Sequence, residues 1–328
     1  MSLNPKISII TPSMNTGRFA KETIESILAQ TYKNWEHIVV DGVSTDETLD
    51  ILQKYSHLRW ISEKDNSPDE AFRKGMAMAN GEYIMLCCIS DGYLDKNWFK
   101  KCVEILDNRP AISLVWGIDQ NILEDGTLHE IICNSWFKNP PPSGKDYIYY
   151  WLKTGQLFHE RDLCVRRNVL EECYPQVTPE KNKIVREHGH LTFAYNFNRL
   201  GYLPYLIPTV AAYGRQHRNA ASQNQAVSGE IERVLRKYYR DFEQYSKKVM
   251  NGEIKYSYRD GFGNLLPYKF DSKRCHKSDK ESNIKRIMKL LTPPIFIWFK
   301  NKLLARYCVY KNIRRICKDN MNNLEDKI

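Results

Sequence analysis

A single aspartate, Asp91, stands at the end of the apolar run 83–89 and is followed at once by Gly92. An acid at the end of a buried strand is a candidate ligand for a bound group, and the glycine beside it would leave room for a phosphate. Proteins commonly hold Mg²⁺ with one or two carboxylates, together with substrate phosphates and waters. We therefore predict that Asp91 holds a divalent cation, Mn²⁺ or Mg²⁺, that the substrate helps to bind.

Two further acids lie in comparable positions. Asp41 falls at the end of the apolar stretch 35–42, and Asp65 comes just after the stretch 58–63. A carboxylate at a strand tip can accept a hydrogen bond from uracil N3–H or from a ribose hydroxyl, so Asp41 is a candidate for holding a nucleoside. Each acid alone could equally cap a helix or a turn. All three at one edge of a sheet would indicate a nucleotide site.

The elements that must position these acids alternate regularly. Runs rich in β-branched and apolar residues predict strands at 7–12, 35–42, 58–63 and 82–91, and stretches of helical periodicity follow them. Short connections between alternating strands and helices favour a parallel sheet covered on both faces. Such sheets bind ligands beyond the carboxyl ends of their strands, which is where the three acids fall.

The rest of the chain is less regular. Residues 111–225 contain a Pro-rich loop and a Tyr- and Trp-rich stretch that would suit the wall of a substrate pocket. A charged helix is predicted at 226–249. We predict a catalytic domain at 1–225, a helical and loop linker at 226–280, and a basic helical tail at 281–328.

Composition restricts the class of protein. Hydrophobic residues make up 42% of the chain and aromatic residues 12%, which is typical of a folded globular protein. The nine cysteines are an odd number and show no C-x₂-C spacing, so we expect reduced, buried thiols and a cytoplasmic protein. The apolar run near the N-terminus is too short for a signal peptide.

The net charge of +10 lies in the tail. Residues 273–328 contain 15 Lys and Arg against 5 Asp and Glu, so the remainder of the chain balances at 34 against 34. The charge-free run at 290–299 is far shorter than the ~20 residues that a membrane-spanning helix needs. Apolar stripes beside cations at 281–318 predict attachment to an anionic membrane surface, on the inner face of the cell membrane. A helical hairpin packed on the domain is the alternative, and no motif supports nucleic-acid binding.

Three segments in this order and spacing carry a resemblance to a known family: ISIITPSMN, SILAQTYKNWEHIVVDGVSTDETLDIL and RKGMAMANGEYIMLCCISDG. Together they resemble the inverting family 2 glycosyltransferases of the GT-A fold, in particular bacterial enzymes of surface-polysaccharide synthesis. The resemblance implies an α/β, doubly wound mixed sheet with a C-terminal helical extension. It also implies transfer of a sugar from a nucleotide donor, expected to be UDP-linked, to a glycan or lipid-linked acceptor.

The resemblance also implies roles for individual residues. Candidates for binding the nucleotide are Thr11, Pro12, Ser13, Asn15, Asp41, Asp65 and Ser90. Asp91 matches the last acid of the family's metal-binding motif, and His217 is a second candidate for the metal. Candidates for contact with the donor or acceptor sugar are Glu70, Lys74 and Glu160. Ser44 and Asp46 also match the family, although capping would explain them equally well.

The sequence departs from the family at several positions. The first acid of the metal motif would fall at Ile89, and Met14 stands where an aromatic residue usually stacks on the base. The helix that normally supplies an aspartate as catalytic base contains none. We predict Glu187 as the base, because a carboxylate can accept the proton of an acceptor hydroxyl, with His188 or His190 as alternatives.

Two other functions remain open at this point. A nucleotidyltransferase would share the doubly wound sheet, but the chain has no Gly-rich phosphate loop after its first strand. A non-catalytic nucleotide-binding module would explain the reduced metal motif and the missing aspartate.

Overall fold

Four parallel strands form the first half of a mixed β-sheet in the computed structural model, which describes residues 4–132, 140–158, 161–175, 189–218 and 225–266. The strands are β1 (Ile7–Ser13), β2 (Trp35–Asp41), β3 (Leu58–Ser62) and β4 (Tyr83–Leu86). They lie in the order β3-β2-β1-β4. The register places Ser13 at the end of β1 beside Asp41 at the end of β2. The predicted parallel arrangement of these four strands is confirmed.

The fourth strand is shorter than the sequence predicted. Beyond Leu86 the chain still follows β1 loosely, with Cys87 N donating to Ile10 O at 3.0 Å and Ile89 N donating to Pro12 O at 3.3 Å. Ser90 then adopts a positive φ of 105°. This turn ends the strand and separates Asp91 from the pleated part of the sheet.

Three helices connect these strands: α1 (Gly17–Leu28), α2 (Thr48–Leu52) and α3 (Pro68–Met78). Helix α2 begins at Thr48, whose N–H donates to Asp46 Oδ1 at 3.0 Å, and the other carboxylate oxygen of Asp46 accepts from Gly17 N at the start of α1. Helix α3 ends at Met78, before Gly81. A side chain at Gly81 would place its Cβ 2.5 Å from Ser8 N, so this glycine allows the chain to pass close to β1.

Apart from β5, the second half of the sheet comes from the less regular region 111–225. Its strands are β5 (Gly92–Tyr93), β6 (Ile112–Ile122), β7 (Leu128–Ile131), β8 (Cys164–Arg166) and β9 (Leu203–Arg215). Strand β8 runs antiparallel between β4 and β6, and β9 pairs in parallel with β6 and antiparallel with β5. Strand β9 therefore ends beside the start of β5, close to Asp91.

In the described part of the chain, this half is accompanied by the helices α4 (Trp98–Asn108), α5 (Lys145–Thr154), α6 (Arg167–Cys173), α7 (Gly189–Leu200) and α8 (Gln225–Met250). Helix α8 packs on α5, with Trp151 Nε1 donating to Tyr238 OH at 3.1 Å and Ser246 Oγ donating to Leu152 O at 2.7 Å. A short hairpin, β10 (Tyr258–Arg259) and β11 (Leu265–Leu266), follows α8. The predicted division of the chain at residue 225 stays a prediction.

The buried cysteines behave as the composition suggested. Cys87, Cys102, Cys164 and Cys173 are buried thiols outside any disulfide, and Cys88 is half-buried. Burial raises the pKa of the Cys87 and Cys102 thiols well above the ordinary value, so these groups stay protonated and unreactive. None of the described helices is both long and apolar enough to cross a membrane. The tail predicted to bind the membrane, 281–318, lies outside the described residues.

Candidate active site

Asp41 is fully buried at the end of β2, at the carboxyl edge of the sheet. Its carboxylate accepts hydrogen bonds from Ser44 N at 2.8 Å, from Ser62 Oγ at 2.7 Å and from Ser44 Oγ. An ionised carboxylate has about four acceptor sites, and these bonds use three of them. The structure thus gives Asp41 an organising role in this edge, and its contact with a nucleoside stays a prediction.

The loop after β1 is bound to the loop after β2. Asn15 has a positive φ of 51°, and its N–H donates to Ser44 Oγ at 2.7 Å. Its side-chain oxygen accepts from Thr45 N at 2.8 Å. Asp46 accepts from Gly17 N at 3.0 Å, at the start of α1. Ser44 and Asp46 therefore have the structural role that was the alternative to ligand contact.

Asp65 lies directly against Gly42, the residue after Asp41. A Cβ on Gly42 would be 2.8 Å from Asp65 Oδ2 and 3.5 Å from Met14 Cβ, and the Met14 side chain is 58% exposed. Burial raises the pKa of Asp65, and the charges of Glu70 and Asp41 add to this effect, whereas Lys74 opposes it. Asp65, Gly42 and Met14 form a small shelf on which a flat ring could lie.

Besides Asp41, three predicted nucleotide-binding residues with hydroxyl side chains are buried. Thr11 Oγ1 lies 2.8 Å from His37 Nε2 inside the sheet, so this hydroxyl is hydrogen-bonded to a side chain of β2. Ser13 Oγ lies 3.4 Å from Thr16 Oγ1. Ser90 is buried in the turn before Asp91, where its N–H donates to Thr23 Oγ1 at 3.2 Å. These side chains shape the edge, and direct contact with a nucleotide stays a prediction for them, as it does for the buried Pro12.

Glu70 and Lys74 stabilise the start of α3 and the loop before it. Glu70 Oε2 accepts from Asn66 Nδ2 at 2.9 Å and from Asn66 N at 3.0 Å, and these hydrogen bonds lower the pKa of Glu70. Ser67 is the N-cap of α3. Lys74 Nζ donates to Lys64 O at 2.8 Å. Their predicted contact with a sugar is untested.

Asp91 is held beside the end of β9. Its side chain is 15% exposed, and Oδ1 accepts from Arg215 N at 3.2 Å. The other oxygen, Oδ2, lies 3.5 Å from Arg161 Nε. Thr23 Oγ1 donates to the backbone oxygen of Asp91 at 2.7 Å. The carboxylate therefore has a fixed position and faces a guanidinium group.

Gly92 does not make room for a phosphate, contrary to the prediction. It lies buried in β5, and an added Cβ would be 2.6 Å from Tyr213 OH and 2.7 Å from Ser26 Oγ. The space that the glycine leaves is filled by these two side chains of the protein itself.

His217 lies just after β9, buried against the ring of Phe19 at 4.9 Å between centroids. Its Nδ1 is buried and has no hydrogen-bond partner among the described residues. Burial lowers the pKa of His217, and the nearby charges of Arg18 and Arg215 lower it further, whereas Glu124 opposes them. The ring is therefore neutral near pH 7, as a metal ligand must be.

The two predicted metal ligands fit a cation that is bound jointly with a substrate. Asp91 offers a carboxylate oxygen, and His217 offers a buried nitrogen without a partner in the described residues. Ile89, at the position of the family's first acid, is instead packed in a small apolar cluster. No group of three His, Cys, Asp or Glu side chains in the described ranges could hold a metal alone. The remaining ligands would have to come from donor phosphates and water.

Sequence reasoning missed three ionisable residues, of which Arg161 lies beside Asp91. Arg161 Nη1 lies 3.6 Å from Asp119 Oδ2, and Asp119 is fully buried in β6. Asp162 is also fully buried and accepts from Gly117 N at 2.6 Å. Burial raises the pKa of Asp162 well above its usual range, and the charge of Asp119 contributes. The available signal was the presence of acids within the apolar stretches LVWGIDQN and ERDLCV.

Glu187 and His188, together with the predicted sugar-binding Glu160, lie outside the described residues. His190, the other alternative base, is described: its Nε2 lies 3.2 Å from Phe158 O.

The part of the chain that forms this edge of the sheet matches a known protein family. The sequence model of the protein family described as "Glycosyl transferase family 2" matches residues 8–173, just over half of the chain. TuaG of Bacillus subtilis, whose name assigns it to teichuronic acid biosynthesis as a glycosyltransferase, is 33% identical over 129 residues. That alignment covers 38% of this chain and 50% of TuaG. The matched segment thus spans about half the length of this relative.

Solved structures share the architecture at low identity. Staphylococcus aureus TarS 1-349 in complex with UDP-GlcNAc has a TM-score of 0.51 at 15% identity, with 76% of each chain covered. The mannosyltransferase PcManGT from Pyrobaculum calidifontis, in complex with GDP-Man and Mn²⁺, has a TM-score of 0.51 at 14% identity. The alignment covers 90% of this chain and 84% of the PcManGT chain. At these identities the likeness shows the fold.

Proposed function

Since the chain belongs to glycosyl transferase family 2 and has a GT-A fold, we propose that it transfers a sugar from a nucleotide donor, with UDP as the nucleotide. The acceptor is a glycan or a lipid-linked sugar of surface-polysaccharide synthesis, and the transfer inverts the anomeric centre. The observation that carries the proposal is the arrangement of Asp41, Asp65 and Asp91 at the carboxyl edge of the sheet, within the residues that match the family model.

The nucleoside half of the donor would occupy the shelf formed by Asp65, Gly42 and Met14. Support for this comes from the exposure of Met14 and from the Asp65 carboxylate, which lies against Gly42 and could accept a hydrogen bond from a base or a ribose. Asp41 lies one residue before the shelf and has acceptor capacity left for a base N–H or a ribose hydroxyl.

The diphosphate would lie at Asp91 and His217, beyond the ends of β1 and β4. These two residues would hold a divalent cation together with the phosphate oxygens. Such a cation, when bound, would stabilise the negative charge that develops on the leaving diphosphate. The complex of PcManGT with Mn²⁺ supports this assignment at the level of the fold.

In the transfer itself, an acceptor hydroxyl oxygen attacks the anomeric carbon in line with the bond to the phosphate. The new C–O bond forms as the bond to the phosphate oxygen breaks, and the nucleoside diphosphate leaves with that electron pair. Glu187 takes the hydroxyl proton. Replacement of Glu187 by Gln should reduce transfer by roughly the 10² to 10⁴ expected for loss of a general base, with donor affinity unchanged. Near-normal transfer by Glu187→Gln would pass the role to another residue, such as His188 or His190.

The experiment that tests the function is a screen of UDP-, GDP- and dTDP-sugars by thermal shift, with Mn²⁺ and with EDTA. We expect stabilisation by a UDP-sugar, increased by Mn²⁺, followed by slow release of free UDP on prolonged incubation. Binding without any hydrolysis or transfer would indicate a non-catalytic module instead. If no nucleotide sugar or free nucleotide stabilises the protein, the proposed function is wrong.

A further inference from the structure

Arg161 occupies a cradle made by the absence of a side chain at Gly214. A Cβ on Gly214 would lie 2.3 Å from Arg161 Cζ, 2.3 Å from Nε and 2.8 Å from Nη1. Real Cβ atoms do not approach other atoms so closely, so any larger residue at 214 would displace the guanidinium. Gly214 belongs to β9 and directly precedes Arg215, whose N–H donates to Asp91. The strand that fixes Asp91 therefore also fixes Arg161.

Two carboxylates flank the Arg161 guanidinium. Nε lies 3.5 Å from Asp91 Oδ2, and Nη1 lies 3.6 Å from Asp119 Oδ2. Asp119 is fully buried, and a buried carboxylate needs a cation nearby to remain charged. Arg161 itself keeps 30% of its side chain exposed. One side of the group is thus anchored inside the sheet, while the group as a whole remains accessible at the edge.

A diphosphate at this edge would meet the negative charge of Asp91. An anion can approach a carboxylate only if a cation lies near both of them, since like charges at close range repel strongly where solvent is partly excluded. A guanidinium group is well suited to this position, because its planar set of N–H donors can bind two phosphate oxygens at once and it does not lose its charge.

We propose that Arg161 is a diphosphate-binding residue of the donor site, an inference that rests on the proposed function. In the donor-free protein its guanidinium lies at Asp91 Oδ2. When the donor arrives, the guanidinium contacts the phosphate oxygens, stays anchored by Asp119, and leaves Asp91 Oδ2 available to a divalent cation. Arg161 thereby couples the availability of Asp91 to the presence of the donor.

The proposal is tested with Arg161→Met in the full-length protein, using two probes. The first is UDP in the presence of EDTA, which measures the contribution of the arginine without metal. We expect about a 10- to 100-fold loss of affinity, the range for a charged hydrogen bond. The second is Mn²⁺ alone, without nucleotide, followed by electron paramagnetic resonance. Here we expect Arg161→Met to bind Mn²⁺ more tightly than the unmodified protein, because Asp91 is no longer neutralised.

Three further variants make the test specific. Arg161→Lys keeps the charge but loses the planar donor set. Its UDP affinity should therefore lie between that of the unmodified protein and that of Arg161→Met. Gly214→Ala keeps every charge and displaces the guanidinium, so it should weaken UDP binding as Arg161→Met does. Arg59→Met removes an exposed arginine of β3 that is paired with Glu36 of β2, and it should change neither measurement. Circular dichroism confirms that each variant is folded.

The outcomes separate the inference from the proposed function. If the unmodified protein binds UDP and Arg161→Met binds it equally well in EDTA, Arg161 has only a structural role and the inference is overturned. If Arg161→Met does not fold, the same decision rests on Arg161→Lys and Gly214→Ala. If the unmodified protein binds no nucleotide, the proposed function fails, and inorganic pyrophosphate then replaces UDP. Equal pyrophosphate affinity in the unmodified protein and in Arg161→Met would overturn the inference.

Discussion

At the residue scale, the carboxylate of Asp41 has one role in the fold and a second role in the proposed function. It must accept the buried N–H of Ser44 and the hydroxyl of Ser62, and in the proposed function it must also accept from the nucleoside. A single substitution at Asp41 therefore affects the free energy of unfolding and the donor affinity together. The two effects can be separated only with a second substitution that changes one of them.

Asp41→Ala should lower both quantities. It leaves the buried N–H of Ser44 and the half-buried hydroxyl of Ser62 without this acceptor, at about 1–3 kcal/mol of unfolding free energy. It should also weaken UDP binding by at most a few kcal/mol, measured by calorimetry. Ser62→Ala is the matched control, because it removes one bond to Asp41 and leaves the carboxylate in place. We expect Ser62→Ala to lower stability alone, and normal UDP affinity in Asp41→Ala would exclude Asp41 from the site.

Asp91→Asn removes the negative charge of the side chain and nearly keeps its shape. The amide oxygen of Asn can still accept from Arg215 N, so the fold and the turn at residues 90–92 should be retained. Loss of the negative charge removes the carboxylate ligand for a divalent cation. Calorimetry should therefore show that Mn²⁺ increases the UDP affinity of the unmodified protein but not of Asp91→Asn. A normal Mn²⁺ effect in this variant would show that Asp91 does not hold the metal.

At the element scale, local pattern predicted β1 to β4, and pairing between distant segments decided the rest. Runs of β-branched residues are visible within each strand, so the four parallel strands could be found from the sequence. The antiparallel insertion of β8 between β4 and β6 depends on residues about 80 and 50 positions apart, for which the sequence has no local signal. The contact of Arg161 with Gly214 depends on that same pairing, and this is why the sequence could not reveal it.

The pairing of β1 with β2 contains a group that is sensitive to acid. His37 is fully buried, Nε2 lies 2.8 Å from Thr11 Oγ1, and burial lowers the pKa of His37 to about 3, with a smaller contribution from His57. In the unfolded chain its pKa is about 6.5. Between these values the unfolded state binds a proton and the folded state does not, so stability falls as the pH falls below about 6.5.

His37→Gln should therefore make the protein less sensitive to acid. Each pH unit below about 6.5 removes up to about 1.4 kcal/mol through a single histidine that stays neutral when folded. Urea unfolding at pH 7, 6 and 5 should show a shallower loss of stability in His37→Gln, whose amide can still bond to Thr11. His129→Gln, which changes an exposed histidine, should keep the slope of the unmodified protein. Equal slopes in all three proteins would show that another group carries the pH dependence.

At the scale of the whole molecule, charge is distributed very unevenly. The last 56 residues carry the entire net charge of +10, with 15 Lys and Arg against 5 Asp and Glu from Lys273 onward. The remaining residues are balanced and would exert little net attraction on this tail. A stripe of Phe, Trp and Leu exposed to water would promote aggregation, so the apolar residues of 281–318 must be covered by something. Anionic lipid provides both an apolar interior and the opposite charge.

We expect the full-length protein to sediment with vesicles that contain anionic lipid, less strongly as salt rises, since screening shortens the range of the attraction. Truncation after Asp279 removes none of the described elements, the last of which is β11, so the shortened protein should still fold and bind UDP but no longer sediment. Lys285, Arg286 and Lys289 changed together to Gln should weaken sedimentation by about 1 kcal/mol per cation. The same number of exposed lysines changed in the domain, Lys21, Lys54 and Lys100, should have no such effect. If the full-length protein does not sediment with these vesicles at low salt, or if truncation unfolds the domain, the tail stabilises the fold and does not bind the membrane.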